Sequence, residues 1–593
     1  MDAGGGILPS RYGWPVTGCI DACHANPFVG MAHYQGVRGT CMDDVSVLIG
    51  GKAGDGINSA GMMAAQLLNH AGYSIYGYFD YPSLIRGGHN FTIIRGSCQE
   101  TSPGTCREGV DFLLALDQAT TEIHRGRMDA STVVIFNADV VRSGGQGIPV
   151  REILAAENAP AIMGNSAIIG GFAKTAGIGW DVVRRVFTAQ IPRDLEKNLA
   201  TARDAYDRVP VVRPVKSCTN PPRALLTGNE AIGLGLILGG LDAYVSYPMT
   251  PSSGLLHFLA AESGRFGIRV VHPENEIAVI LMALGLAAGG KRAAVGTSGG
   301  GFCLMTEGLS FAGMAEIPVV IVMSQRTGPS TGLPTYTGQA DLAFVLHAGQ
   351  GEFPRLIVAP GDASEAVLWS ARALDLAWRC QVPAFVLADK TLSEGTYSTV
   401  LPEEDLPAFL PALPPAGAGP YRRYALTPDG ISPLSCAGAK GAVVKVNSYA
   451  HDEDGITTED AAVVERMAGK RAEKGRTLAA MLESYGQVVV SGEPHAATAL
   501  LSWGSTAGVC SEVGRMTGLR VVRPVVLQPF PLAQIATALA GVTRLIAVEE
   551  NATGQLADLA QAHGIVVHDR ILRFDGRPFT AGSLAARVRE VTK

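Results

Sequence analysis

The sequence has no stretch that reads as a membrane span. Such a helix needs about 18 or more consecutive apolar residues; the longest candidates, 277–290 and 231–241, are interrupted by glycine and suit buried helices. The N-terminus lacks a charged segment followed by an apolar one, so no signal peptide is expected and the protein is read as cytoplasmic. Charge is scarce at 17% of residues, and a net charge of −6 leaves no basic footprint for nucleic acid. The ten cysteines are scattered and none falls in a C-x₂-C-x₂-C-x₃-C run, so no iron–sulfur cluster is expected on this chain. Cys19-x₃-Cys23-His24 stands alone: a small metal site, or, more plainly, thiols that happen to be close in sequence. No residue is assigned as a metal ligand.

What the chain does have is glycine, 72 residues of it, and 47% hydrophobic residues, the opposite of a disordered composition. Long Val/Ile/Leu runs with abundant Gly and Ala suit α/β domains, whose parallel strands are buried on both faces. A chain of 593 residues divides into three or four domains at roughly 100–200 residues each. Residues 1–42 are Gly-, Pro- and Cys-rich without periodicity and read as a disordered N-terminal extension, or as an upstream start that is not used. A strand, a glycine loop (Gly51-Lys52-Ala53-Gly54-Asp55-Gly56) and a helix then open a first α/β unit over 43–190. Its alternation of strands and helices implies a mostly parallel sheet. Residues 191–222, polar, basic and proline-containing, read as linker. A second α/β unit fills 223–399, a proline-rich connecting segment with one charged helix fills 400–484, and a third α/β unit fills 485–593.

The informative segment lies in the second unit. It carries Tyr247-Pro248-Met249-Thr250-Pro251-Ser252-Ser253, then Glu274-Asn275-Glu276-Ile277-Ala278 leading into an apolar helix. After a strand comes Thr297-Ser298-Gly299-Gly300-Gly301, and Arg326 follows a buried strand. Each piece has an ordinary reading. A carboxylate at a helix N-terminus is stabilised by the helix dipole, Thr-Pro-Ser-Ser is a turn and cap, and a triple glycine can be a tight turn or a backbone brought close to a ligand. Their order and spacing together are much harder to produce by chance.

That order resembles the pyrimidine-binding domain of thiamine-diphosphate enzymes and, more closely, the α subunit of the 2-oxoacid:ferredoxin oxidoreductases, of the 2-oxoglutarate type. Residues 247–253 match the family's Tyr-Pro-(Ile/Met)-Thr-Pro-Ser-Ser. Segment 45–95, with Arg86-Gly87-Gly88, looks like the family's γ subunit fused in front of α. Segment 521–556, with Gln528-Pro529-Phe530-Pro531 and Glu549-Glu550-Asn551-Ala552-Thr553-Gly554-Gln555-Leu556, looks like the C-terminal α domain, of transketolase C-terminal type. The implied fold is therefore several doubly wound α/β domains. The resemblance implies roles as well. Glu276 would hydrogen-bond the aminopyrimidine and so help it take the proton from the cofactor's reactive carbon. Arg326 would hold the substrate carboxylate, where a bidentate pair is available, and Thr250 would donate to substrate. Tyr247, Pro248, Thr250, Pro251, Glu276, Ser298 and Gly299 would line the cofactor. Glu276 is preferred to Glu274 because the family's glutamate directly precedes the small and apolar residues that start the helix.

Only half of a thiamine site is implied. Gly54-Asp55-Gly56 imitates the Mg²⁺ and diphosphate motif, but neither Asn69 nor Asn90 stands at a suitable spacing, and the position fits the γ-type loop. A dinucleotide fingerprint fails too, since the order is G-x₂-G-x-G. The resemblance thus implies a separate β subunit carrying Mg²⁺, the diphosphate domain and a [4Fe-4S] cluster, in an (αβ)₂ heterotetramer. Coenzyme A would be co-substrate and ferredoxin the electron acceptor, in a tricarboxylic-acid-cycle type of reaction. Gly504-Ser505-Thr506 reads as a plain turn or as a phosphate contact. The family's Ser-Asp-Glu-His-Asp-Glu segment is altered here to Asn447-Ser448-Tyr449-Ala450-His451-Asp452-Glu453, and His451 reads as a loop or interface residue. Pyruvate, branched-chain or aryl 2-oxoacids remain alternative substrates. A non-catalytic assembly subunit is the alternative of a different class, and intact Thr250, Glu276 and Arg326 speak against it.

Overall fold

The computed structural model describes residues 42–82, 88–401 and 421–593. The expected N-terminal extension, its Cys19, Cys23 and His24, Arg86-Gly87, and most of the proline-rich passage lie outside the described residues. The first strands are Asp44–Lys52 (β1), Ser74–Asp80 (β2), His89–Ser97 (β3), Phe112–Ala115 (β4), Val133–Asn137 (β5), Gln146–Ile148 (β6) and Ala224–Thr227 (β7). Next come Ala243–Ser246 (β8), Arg269–Val271 (β9), Ala293–Thr297 (β10), Val319–Gln325 (β11), Leu356–Val358 (β12), Pro383–Asp389 (β13) and Thr396–Thr399 (β14). The last are Val488–Gly492 (β15), Thr498–Leu501 (β16), Arg520–Pro524 (β17), Val526–Gln528 (β18), Arg544–Glu549 (β19) and Asp569–Leu572 (β20).

They form three sheets with helices packed on their faces, of order β6-β5-β4-β1-β3-β2-β14-β7, β18-β12-β13-β11-β10-β8-β9 and β15-β17-β16-β19-β20. The second is parallel from β12 to β9, and every residue of β8, β10, β11 and β13 is buried, as continuous apolar runs covered on both faces require.

The first sheet departs from the mostly parallel expectation. β3 runs antiparallel to both β1 and β2, because only eight residues separate β2 from β3 and a parallel return would need a longer crossover. β14 adds antiparallel to β2, and β7 to β14. Residues 224–227 and 396–399, expected in the second unit, therefore complete the first unit's sheet. The span expected as linker differs as well. Helix Leu195–Arg208 buries Ala202, Ala205 and Tyr206 in the first core, so extended linker begins only near Val209.

Polar groups fasten the units to one another. Arg95 of β3 pairs with Asp44 and with Glu512 of the helix Thr506–Thr517, each at 2.7 Å. The connecting segment is held by Glu316, which caps the end of helix Gly299–Ala315 and is 1% exposed. It receives Lys470 at 2.7 Å, together with Lys474, both from the helix Ala461–Leu482. The two ammonium groups hold its carboxyl down at about 2, against the effect of burial. Cys98 and Cys218 form a disulfide across 120 residues, a pairing their sequence positions did not reveal.

Candidate active site

Adjacent parallel strands deliver the candidate residues to one edge of the second sheet. β8 ends at Ser246 and runs into the Tyr247–Ser253 turn, β10 ends at Thr297 before Ser298 and the glycines, and β11 ends at Gln325 before Arg326. From β8 the chain moves outward to β9, then returns past β8 to β10 and β11, so the strand order reverses between β8 and β10. The carboxyl ends of parallel strands open a crevice at such a reversal, because the connections on either side diverge. Ser246 Oγ donates to Gly296 O at 2.9 Å and ties the two strand ends together there.

Asn275 sets where the next helix begins. Its side chain accepts the Ala278 N–H at 3.0 Å, which makes it the N-cap of helix Glu276–Ala288. Glu276 is thus the first helical residue and is 3% exposed, whereas Glu274 lies exposed in the loop before it. Its Oε1 is buried with no hydrogen-bonding group among the described residues. The triple glycine comes to meet it. A Cβ on Gly301 would lie 2.4 Å from Glu276 Oε1 and 2.3 Å from Thr297 Oγ1, so only glycine lets the helix Gly299–Ala315 begin so close. Ser298, the N-cap of that helix, makes no side-chain cap, and its Oγ is also buried without a protein partner among the described residues. The N–H groups of this first turn have no acceptors within the helix.

Arg326 and Thr250 form a second pair: Arg326 Nη1 donates to Thr250 O at 2.8 Å, and Arg326 Nε is buried and unpartnered among the described residues. Pro251 O accepts from Asn229 Nδ2 at 2.9 Å, which ties the turn to the start of helix Gly228–Leu238. Tyr247 and Pro248 are exposed at the rim, with the Tyr247 ring edge-on to His272 at 5.8 Å. The structure therefore joins Thr250 with Arg326, and Glu276 with the Ser298–Gly301 turn, at neighbouring strand ends.

Sequence reading missed two residues here. Asn229 sits inside a glycine-flanked helix start, and its Oδ1 is buried and unpartnered among the described residues. Asp341 places both carboxylate oxygens 3.0–3.1 Å from where a Gly299 Cβ would be. Burial pushes its pKa up to about 6 while Arg326 opposes the rise, and burial lowers that of Arg326 while Asp341 opposes. A polar Gly338-Gln339-Ala340-Asp341 run opening a helix was the available signal.

A family described as pyruvate flavodoxin/ferredoxin oxidoreductase, thiamine diP-bdg, matches residues 234–470, and one described as pyruvate ferredoxin/flavodoxin oxidoreductase matches 46–208. The alpha subunit of 2-oxoacid:ferredoxin oxidoreductase 2 from Aeropyrum pernix is 30% identical, over 93% of this chain and 98% of its own length. The chain belongs to this family of oxidoreductase alpha subunits. The 2-oxoglutarate oxidoreductase subunit KorA of Mycobacterium tuberculosis is 29% identical over 61% of this chain and 56% of its own length. A solved 2-oxoglutarate:ferredoxin oxidoreductase from Magnetococcus marinus, holding 2-oxoglutarate, coenzyme A and succinyl-CoA, superposes with a TM-score of 0.83 at 28% identity. That match covers 93% of this chain and 100% of the other.

The oxidoreductase site fits the aminopyrimidine half of thiamine diphosphate. A buried acceptor oxygen and a glycine-lined approach are what that ring requires, and Glu276 and Gly301 provide them. For a metal there is no counterpart: among the described residues no group of three or more His, Cys, Asp or Glu is placed to hold one. Asp55, in the imitation motif, accepts its own loop's Lys52 N–H at 2.9 Å. Ser505 and Thr506 are buried, and Thr506 Oγ1 donates to Trp503 O at 2.7 Å, so this segment is built as a turn. His451 is buried against the Tyr424 ring, 3.9 Å between centroids. No helix among the described residues is long and apolar enough to cross a membrane.

Proposed function

We propose that this chain is the fused γα subunit of an enzyme that converts 2-oxoglutarate, coenzyme A and oxidised ferredoxin to succinyl-CoA, CO₂ and reduced ferredoxin. The observation that carries this reading is the buried, unpartnered Glu276 Oε1 facing the triple glycine, one strand away from the Arg326–Thr250 pair. In this reading Glu276 accepts a hydrogen bond from the aminopyrimidine and holds the proton balance at that ring. Thiamine diphosphate, when bound, supplies the electron sink for decarboxylation. Arg326, anchored through one Nη to Thr250, offers its remaining N–H groups to the substrate carboxylate. Thr250 orients the keto oxygen, and Tyr247, Pro248, Pro251, Ser298 and Gly299 shape the wall. The preference for 2-oxoglutarate is supported by the relatives from Mycobacterium tuberculosis and Magnetococcus marinus.

A separate β subunit would supply Mg²⁺, the diphosphate domain and the [4Fe-4S] cluster, in an (αβ)₂ assembly. The helix that begins with Glu276 supports this, because its outer face leaves Ile277, Leu281 and Met282 exposed at 47%, 49% and 44%, beside Leu304 at 47%. An apolar patch bordering a buried carboxylate suits burial by another subunit. The test is co-expression with the β subunit and measurement of ferredoxin or viologen reduction that depends on both 2-oxoglutarate and coenzyme A. Turnover with pyruvate but not 2-oxoglutarate would overturn the substrate assignment. Full turnover by Glu276→Gln with cofactor bound would overturn the role of Glu276.

A further inference from the structure

Asp341 is fixed from two directions. Its N–H donates to Gln325 Oε1 at 3.0 Å, and Gln325 Nε2 donates to Ala388 O at 3.1 Å, so it is pinned to the carboxyl ends of β11 and β13. It opens the helix Leu342–His347, yet its side chain does not cap that helix. The carboxylate instead lies over Gly299, with its oxygens 3.0 and 3.1 Å from the Cβ position. The triple glycine is therefore flanked by two carboxylates, Glu276 at Gly301 and Asp341 at Gly299, and Arg326 is the cation on the Asp341 side.

We propose that Asp341 takes up a proton when a 2-oxoacid binds, and so leaves Arg326 to the substrate carboxylate. This rests on the reading of Arg326 as the group that holds that carboxylate. An ionised Asp341 competes with the incoming anion for the guanidinium, and an added like charge nearby favours its neutral form. The surroundings lean the same way. Arg326 favours the anion, and His347 lies exposed at the far end of the short helix. Glu276 across the glycines favours the neutral form. Glu550 behind the loop, whose N–H donates to Gln339 Oε1 at 3.0 Å, is itself pushed up to about 8 by burial and adds no charge at neutral pH. Partial burial already brings Asp341 up to about 6, within reach of neutral pH. The neutral acid gains an O–H that can donate to the bound substrate. The proton comes from solvent and returns to it once the carboxylate has left as CO₂.

The experiment is isothermal titration of the complete complex with N-oxalylglycine, an unreactive 2-oxoacid analogue, at pH 7 in buffers of different ionisation enthalpy. The wild type should take up close to one proton per ligand, Asp341→Asn close to none with affinity retained, and Asp341→Glu should restore the uptake. In turnover, KM for 2-oxoglutarate should rise with pH by up to about tenfold per unit above pH 6 in the wild type and stay flat with pH in Asp341→Asn. Wild-type binding without proton uptake, or uptake unchanged in Asp341→Asn, overturns the assignment alone. Failure of any 2-oxoacid to bind overturns the reading of Arg326, and the assignment falls with it.

Discussion

Replacing Gly301 by alanine tests the cofactor cradle without touching a polar group. The added Cβ would stand 2.4 Å from Glu276 Oε1, and real Cβ contacts stay above 3.0 Å, so the carboxylate or the helix start must give way by about 0.6 Å. Thr297 Oγ1 at 2.3 Å blocks retreat on one side, and the carboxylate lies at the start of an apolar buried helix on the other. Overpacking of this kind costs about 1–3 kcal/mol. If the strain is relieved by turning Glu276 away from the cofactor, affinity falls by about 10- to 100-fold, since about 1.4 kcal/mol is tenfold. The assay is the thiamine diphosphate Kd of the complex, with the melting temperature followed in parallel. Gly264→Ala is the control, because its Cβ meets open space in the helix Ser253–Phe266; it should leave Kd unchanged and stabilise by about 0.5–1 kcal/mol. A wild-type Kd for Gly301→Ala, with or without a lowered melting temperature, would refute the reasoning.

Two further predictions concern buried acids outside the cofactor site. Glu316→Gln should destabilise by about 3–5 kcal/mol, measured by denaturant unfolding, because it leaves Lys470 and Lys474 buried without their anion. The folded carboxyl titrates near 2, below its unfolded value, so its stabilisation is present above about pH 4.5 and should fade as pH falls towards 2. Glu550 behaves oppositely. Burial, with Asp389 nearby, pushes its carboxyl up to about 8, so wild-type stability should decline as pH rises from about 4.5 to 8. Glu550→Gln should remove that part of the slope and raise the melting point by a few degrees at pH 8. An unchanged slope would mean that Glu550 is ionised in the fold.

How much of this was legible in sequence depended on whether the cause was local. The start of the helix at Glu276 was readable because small and apolar residues follow it directly, and the Asn275 cap that fixes it is equally local. The triple glycine was recognisable as a place of close approach, but what approaches it, Glu276 at one glycine and Asp341 at another, is a tertiary fact. Asp341 drew no reading from sequence, because its place over Gly299 is likewise made only by the fold. The first sheet was expected as mostly parallel because strands and helices alternate. Only eight residues separate β2 from β3, too few for a crossover helix, and β3 returns antiparallel. Nothing in 224–227 or 396–399 says which sheet these short strands join, since edge pairing is decided by the neighbour that needs covering.

The pairing of β14 with β2 has a consequence for how the molecule can be divided. Thr396 lies opposite Gly77 and Tyr397 opposite Tyr76, and the two tyrosine rings meet edge to face at 5.4 Å. Cutting the chain anywhere in 209–223 would nick it without freeing an N-terminal fragment, because two strands from beyond the cut remain hydrogen-bonded to that fragment's sheet. Expressed by itself, the fragment would present β2 as a bare edge rich in tyrosine and phenylalanine, an invitation to self-association. The fusion of the two units is therefore written into the backbone ladder as well as into the gene, and a trimmed version meant to fold alone would need a substitute for β14.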